Sequence, residues 1–206
     1  MQTTPRGRFF KKLWYSVLML YTRKGDKGTT KFFDTKSGER VSKNSGTAEA
    51  LGFLDELNSF LGLCKVKSEG SGVVVGSKKI SIHEALENIQ QNLFIVQAEV
   101  AGDKEKKITQ EKITEIEEII DTIEKEIPKI TSFTIVGGSE LSALLDVART
   151  IARRTERSLV GVCESGEREV CDSTRAYVNR LSSLLFALAR FVNFKSGIKE
   201  KSPHYK

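Results

Sequence analysis

Two stretches carry residue types that could hold a polyanion. Residues 148–157, ARTIARRTER, place four arginines in ten positions. On a helix Arg149, Arg153 and Glu156 fall on one face, while Ala148, Ile151, Ala152, Thr155 and Leu159 cover the neighbouring one. Arginine offers a planar fork of donors that meets phosphate oxygens two at a time, so this face suits a polyphosphate, with the carboxylate free for its metal. A solvated face with internal Glu–Arg pairs is the competing reading of this segment taken alone. The second stretch, residues 21–30, YTRKGDKGTT, combines glycines, hydroxyls and cations. Glycines let successive N–H groups converge on one anion, and lysines add charge. The order G-x-x-x-x-G-K-[ST] is absent, so it is not a P-loop, and a surface loop is its alternative. Residues 31–43 continue it as a basic arm.

What is missing narrows the chemistry. His83 and His204 are the only histidines, one at a helix start and one in the tail, so neither a Ser–His–Asp triad nor a histidine-rich metal site can be assembled. An enzyme of this composition must act by positioning and charge stabilisation on reactants that bring their own reactivity.

Five amphipathic segments must position these residues. Ala50, Leu54, Leu57, Leu61 and Cys64 form the stripe of a first helix from about Thr47, with Asp55, Glu56 and Asn58 off it. A glycine- and serine-containing loop over residues 66–79 resembles an insertion. A second helix spans about 81–101, with Ala85, Ile89, Leu93, Val96 and Val100 inward. A third covers about 109–127, with isoleucines at 113, 116, 120, 123 and 127, and stops at Pro128. Residues 129–138, KITSFTIVGG, read as an extended connector. Ser139 then caps a fourth helix that runs to about Val162 and carries the arginines. A fifth, about 172–194, turns Tyr177, Leu181, Leu184, Leu185 and Leu188 inward, with Asn179 and Arg180 beside them. The predicted fold is all-α, a five-helix up-and-down bundle of the ferritin-like kind.

At 206 residues one domain is the natural expectation. Residues 1–20 read as an extension outside the fold, with Met19 an alternative start; 21–195 as the bundle domain; 196–206 as a disordered tail. The net charge of +6 is uneven. Residues 1–43 hold eleven Lys/Arg against three Asp/Glu, a net of +8, which leaves 22 against 24, a net of −2, for the remainder. A general nucleic-acid surface is therefore not expected, whereas a basic arm meeting a small polyanion is. No apolar run reaches the roughly 18 residues a membrane span needs. Three cysteines without metal-type spacing fit a reducing cytoplasm.

Residues 21–30, 49–58 (EALGFLDELN), 133–138 (FTIVGG), 148–157 and 177–183 (YVNRLSS), in this order and spacing, resemble the propanediol-utilisation type of ATP:cob(I)alamin adenosyltransferase. The resemblance implies a homotrimer with ATP and corrinoid between subunits, and transfer of the 5′-deoxyadenosyl group of ATP to Co(I) with release of triphosphate. It implies nucleotide contacts at Thr22, Arg23, Lys24, Gly25, Thr30, Lys31 and Lys43 of the arm, at Arg153, Arg154, Glu156 and Arg157, and at Asn179, with Glu156 in a Mg2+ shell. Asp55 and Arg149 match a pair that bridges subunits, and Phe133 an aromatic that faces the corrinoid and favours loss of its lower axial ligand. A corrinoid reductase and an adenosylcobalamin-dependent acceptor enzyme are implied partners. Co(I) is itself a strong nucleophile, so the lack of a catalytic histidine is consistent. The chain departs from the pattern at Ser183, where an acid is usual, and at Val136, where proline is usual. Ser183 keeps open a second reading, a non-catalytic sensor or delivery module of the same fold.

Overall fold

The computed structural model describes residues 20–205. The extension read over residues 1–20 lies outside these, apart from Leu20. Helices α1 (Gly46–Lys67), α2 (Ile82–Val100), α3 (Gln110–Glu126), α4 (Glu140–Glu164) and α5 (Asp172–Lys195) form the body. Each expected stripe is the buried one: Leu54, Leu57, Leu61, Leu93, Leu145, Tyr177, Leu181, Leu185 and Leu188 are all fully enclosed. Apolar area removed from water on these stripes is what joins the helices. Helix α4 packs on both α1 and α5, α2 on α1, and α3 on α5, so the helices run around the core in the order α2, α1, α4, α5, α3.

Local chemistry sets the helix ends. Ser45, Ser81 and Ser139 are extended and accept from the N–H three residues on, at Ala48, Glu84 and Ser142. Ile127, forced out of the helical region by Pro128, ends α3 in an extended conformation.

Two short ladders modify the expectation of a purely helical chain. In the arm β1 (Thr29–Thr30) pairs antiparallel with β2 (Val41–Ser42). In the α1–α2 insertion β3 (Val74–Val75) pairs with β4 (Ile80–Ser81). The insertion is fastened to α3: Val75 is buried, Ser77 donates to Glu118, and Lys78 lies 3.7 Å from Glu115. The tail likewise differs from the disorder expected of it. Ile135 N–H donates to the Lys201 carbonyl at 2.8 Å, and Glu200 accepts from the Arg190 guanidinium at 2.8 Å. Arg190 is 9% exposed, so this carboxylate compensates a buried charge.

Candidate functional site

On α4 the expected face is present and its members differ in engagement. Arg154 is held: its Nη2 lies 2.5 Å from Glu56 of α1 and its guanidinium stacks 4.9 Å from the Phe53 ring. The buried Arg154 Nε has no acceptor. Glu156 accepts from Asn179 Nδ2 of α5 at 2.6 Å; Asn179 Oδ1 in turn accepts from Arg180, whose Nε reaches Glu117 of α3 at 3.0 Å. Arg157 donates to the Arg153 carbonyl at 3.1 Å. Arg153 is exposed, and among the described residues its guanidinium has no side-chain partner. Thus Arg153, Arg154, Glu156, Arg157 and Asn179 form one surface across α4 and α5, with Arg153 and Arg157 the cations that pair with no carboxylate among the described residues.

The arm lies at the end of the bundle where α1 begins and α4 finishes. Gly28 N–H donates to Gly25 O, and Lys43 N–H to Gly28 O, so the loop 22–28 rests on the β1–β2 ladder. Arg40 clamps Thr29 through its hydroxyl and carbonyl, both at 2.7 Å. Lys43 passes close to Gly25, its Nζ 3.0 Å from where a Cβ would stand, so the ammonium lies against the loop backbone. Arg23 has a φ of 57° and donates to the Tyr21 hydroxyl. Thr22, Arg23, Lys24, Lys31 and Lys43 are exposed, and Thr30 is half-buried. The structure therefore clusters the arm residues with one another, and among the described residues of a single chain they make no hydrogen bond or ion pair with the α4 arginine face.

Phe133 and the connector occupy the other end. Phe133 is 80% exposed, next to exposed Ile135 and Val136. The connector closes onto α5 through Asn193, which donates to Gly137 O at 2.7 Å and accepts from Ser139 N–H at 3.1 Å. Gly138, at φ 119°, leaves room for that side chain. Beside it a cavity of about 270 Å³ is lined by Gly137, Asp146, Phe186, Arg190 and the tail. Arg149 pairs within its own helix with Asp146 at 3.1 Å and sits 5.8 Å from the Phe186 ring. Asp55 is exposed on α1 and does not meet Arg149 within the chain.

Sequence reasoning missed the supports: Glu56 beneath Arg154, Asp146 beneath Arg149, Asn193 beneath the connector, and Glu167 with Arg168 in the turn after α4. Asp146 could have been found as an acid one helical turn before Arg149. The others join positions far apart in the chain and leave no local signal.

A family model described as cobalamin adenosyltransferase matches residues 20–192. The chain is 42% identical over 179 residues to the corrinoid adenosyltransferase PduO of Citrobacter freundii, covering 84% of this chain but only 49% of that protein. It thus spans about half the length of that relative. With the corrinoid adenosyltransferase of Bacillus subtilis it shares 38% identity over 88% of this chain and 90% of the relative. A phenylalanine-to-histidine variant of the PduO-type ATP:corrinoid adenosyltransferase from Lactobacillus reuteri, solved with cobalamin and ATP, superposes with a TM-score of 0.77 at 32% identity, over 91% of this chain and 97% of that one.

Proposed function

Because the chain belongs to the cobalamin adenosyltransferase family, we infer that it transfers the 5′-deoxyadenosyl group of ATP to the Co(I) centre of a reduced corrinoid and releases triphosphate. The observation that carries this reading is Arg153: an exposed cation with no side-chain partner, beside Arg157, which donates only to a backbone carbonyl, on a surface where Arg154 and Glu156 are already engaged. The Co–C5′ bond forms as the C5′–O bond breaks, and the electron pair leaves on the triphosphate. No protein base is needed. The chain's task is to hold the leaving phosphates and stabilise their growing charge, which Arg153, Arg157 and the arm lysines can do.

Mg2+ fits the same surface. Among the described residues no cluster of three or more acids, histidines or cysteines could hold a metal, and magnesium bound with substrate phosphates characteristically uses only one or two protein carboxylates. Glu156, oriented by Asn179, would supply that carboxylate and the ion would neutralise phosphate charge.

Phe133, exposed and apolar, suits the face of a corrin ring. The arm and the connector are at opposite ends of α4, whose 25 residues span about 37 Å. A homotrimer in which neighbouring chains bring these ends together, with Asp55 of one chain meeting Arg149 of the next, accounts for both exposed surfaces. A reducing, cytoplasmic setting accords with three free cysteines, and no helix among the described residues is long and apolar enough to cross a membrane. A reductase that supplies Co(I) and an acceptor enzyme complete this reading.

Incubation with ATP, Mg2+ and chemically reduced cobalamin should yield the light-sensitive alkylcobalamin. Protein that binds both substrates and yields none would support the sensor or delivery alternative, which exposed Ser183 favours.

A further inference from the structure

We propose that Glu167 and Arg168, adjacent in the α4–α5 turn, are positioning residues that clasp the root of the nucleotide arm and so fix where its loop meets ATP. This inference rests on the proposed function. The geometry has two halves. Glu167 accepts from the N–H groups of Gly46 at 3.2 Å and Thr47 at 2.9 Å, and from the Thr47 hydroxyl at 3.0 Å. Ser45 takes the Ala48 N–H. The first amides of α1, which would otherwise attract a phosphate, are thus already filled by a carboxylate of the same chain. The segment leaving β2 is pinned, and the triphosphate must be met by side chains and the arm loop.

Arg168 holds the other leg. Its guanidinium pairs with Asp34 and stacks 4.9 Å from the Phe32 ring. Its buried Nε is unpartnered. Asp34 lies against Gly102 so closely that a Cβ there would overlap the carboxylate, and Phe33 N–H donates to Ala101 O at 2.8 Å. The β1–β2 ladder therefore hangs between two anchors from one turn, and loop 22–28 is suspended from it. The same turn ends α4, so the arm and the arginine face share one rigid frame. Arm placement should govern ATP capture more than the chemical step on ATP already seated.

The test is steady-state adenosylation by the full chain, with direct ATP binding measured alongside. Glu167→Gln, nearly isosteric, turns an amide donor toward an N–H donor. Arg168→Ala frees Asp34. Each should raise KM for ATP about tenfold, the scale of a lost hydrogen bond to a charged group, while kcat stays within about twofold and KM for corrinoid is unchanged. Arg168→Lys, which keeps the ion pair with Asp34, should recover most of the ATP affinity. An unchanged KM for ATP in both variants, or parallel losses in both substrates and in melting temperature, overturns the proposal. If the wild-type chain binds ATP but never adenosylates, the proposed function fails and the clasp is judged on the same tenfold change in ATP Kd. Wild-type protein that binds no ATP overturns both.

Discussion

The two ends of the bundle are built for different ligands. At the arm end the exposed groups include the cations Arg23, Lys24, Lys31 and Lys43 beside Tyr21 and Phe33, mounted on a short ladder that ion pairs and hydrogen bonds fasten to the body. At the connector end Phe133, Ile135, Val136 and Phe194 are exposed alongside Lys129, Lys199 and Lys201, and the charges beneath the apolar cluster, Arg190 with Glu200 and Arg149 with Asp146, are already paired. Charge spent on internal pairs is not available to a ligand, whereas exposed apolar surface is. One end suits a polyphosphate and the other a large flat apolar molecule, with the α4 arginines between them.

The sharpest way to break this contrast is to remove the free cation between the ends. Arg153→Ala should lower kcat for adenosylation by about 10²-fold, the scale of one lost donor to transition-state charge, and leave stability within about 0.5 kcal/mol because the site is exposed. Wild-type turnover would reduce the α4 face to a solvated surface. Phe133→Ala addresses the apolar end: with no burial to lose, the melting temperature should stay put while corrinoid turnover falls by roughly tenfold or more. An equal fall with Phe194→Ala would show that the surface acts as a general patch.

The connector backbone gives a smaller, structural effect. Gly138→Ala forces a side chain into a positive-φ position and against Asn193. It should cost about 1–3 kcal/mol in denaturant midpoint, with ATP affinity unchanged because the arm lies at the far end. The weakest effect is pH. Hydrogen bonds from the Thr47 amide and hydroxyl hold the Glu167 carboxyl below its ordinary value. A lowered folded pKa means the clasp's contribution is complete above the unfolded carboxylate pKa, about 4.3, and is lost as pH falls through the folded value. ATP affinity should therefore weaken in that acid window in wild type and lose this component in Glu167→Gln. An identical acid limb in the variant assigns it to another group.

The helices and their buried faces were legible because each stripe is a local pattern repeated over several turns, and Ser139 marks the start of α4. The α4 face was legible for the same reason: Arg149, Arg153 and Glu156 share one helix. The arm's composition announced cations and glycines, yet not the ladder, since strands of two residues carry no periodicity. The anchoring of the insertion and the order of the tail left no local trace because what holds them, Glu118 for Ser77 and Arg190 for Glu200, lies on other elements. Glu167 falls between the expected fourth and fifth helices with no local signal; its partners Gly46 and Thr47 are more than a hundred residues earlier.

The central claim is that the arm closes over ATP against the α4 cations. Amide exchange of residues 21–31, followed with and without ATP and Mg2+, tests it most directly. The account predicts strong ATP-dependent protection in the wild-type chain that is largely lost in Arg153→Ala. Saturating ATP that binds while the exchange of residues 21–31 stays as fast as in free protein would contradict it.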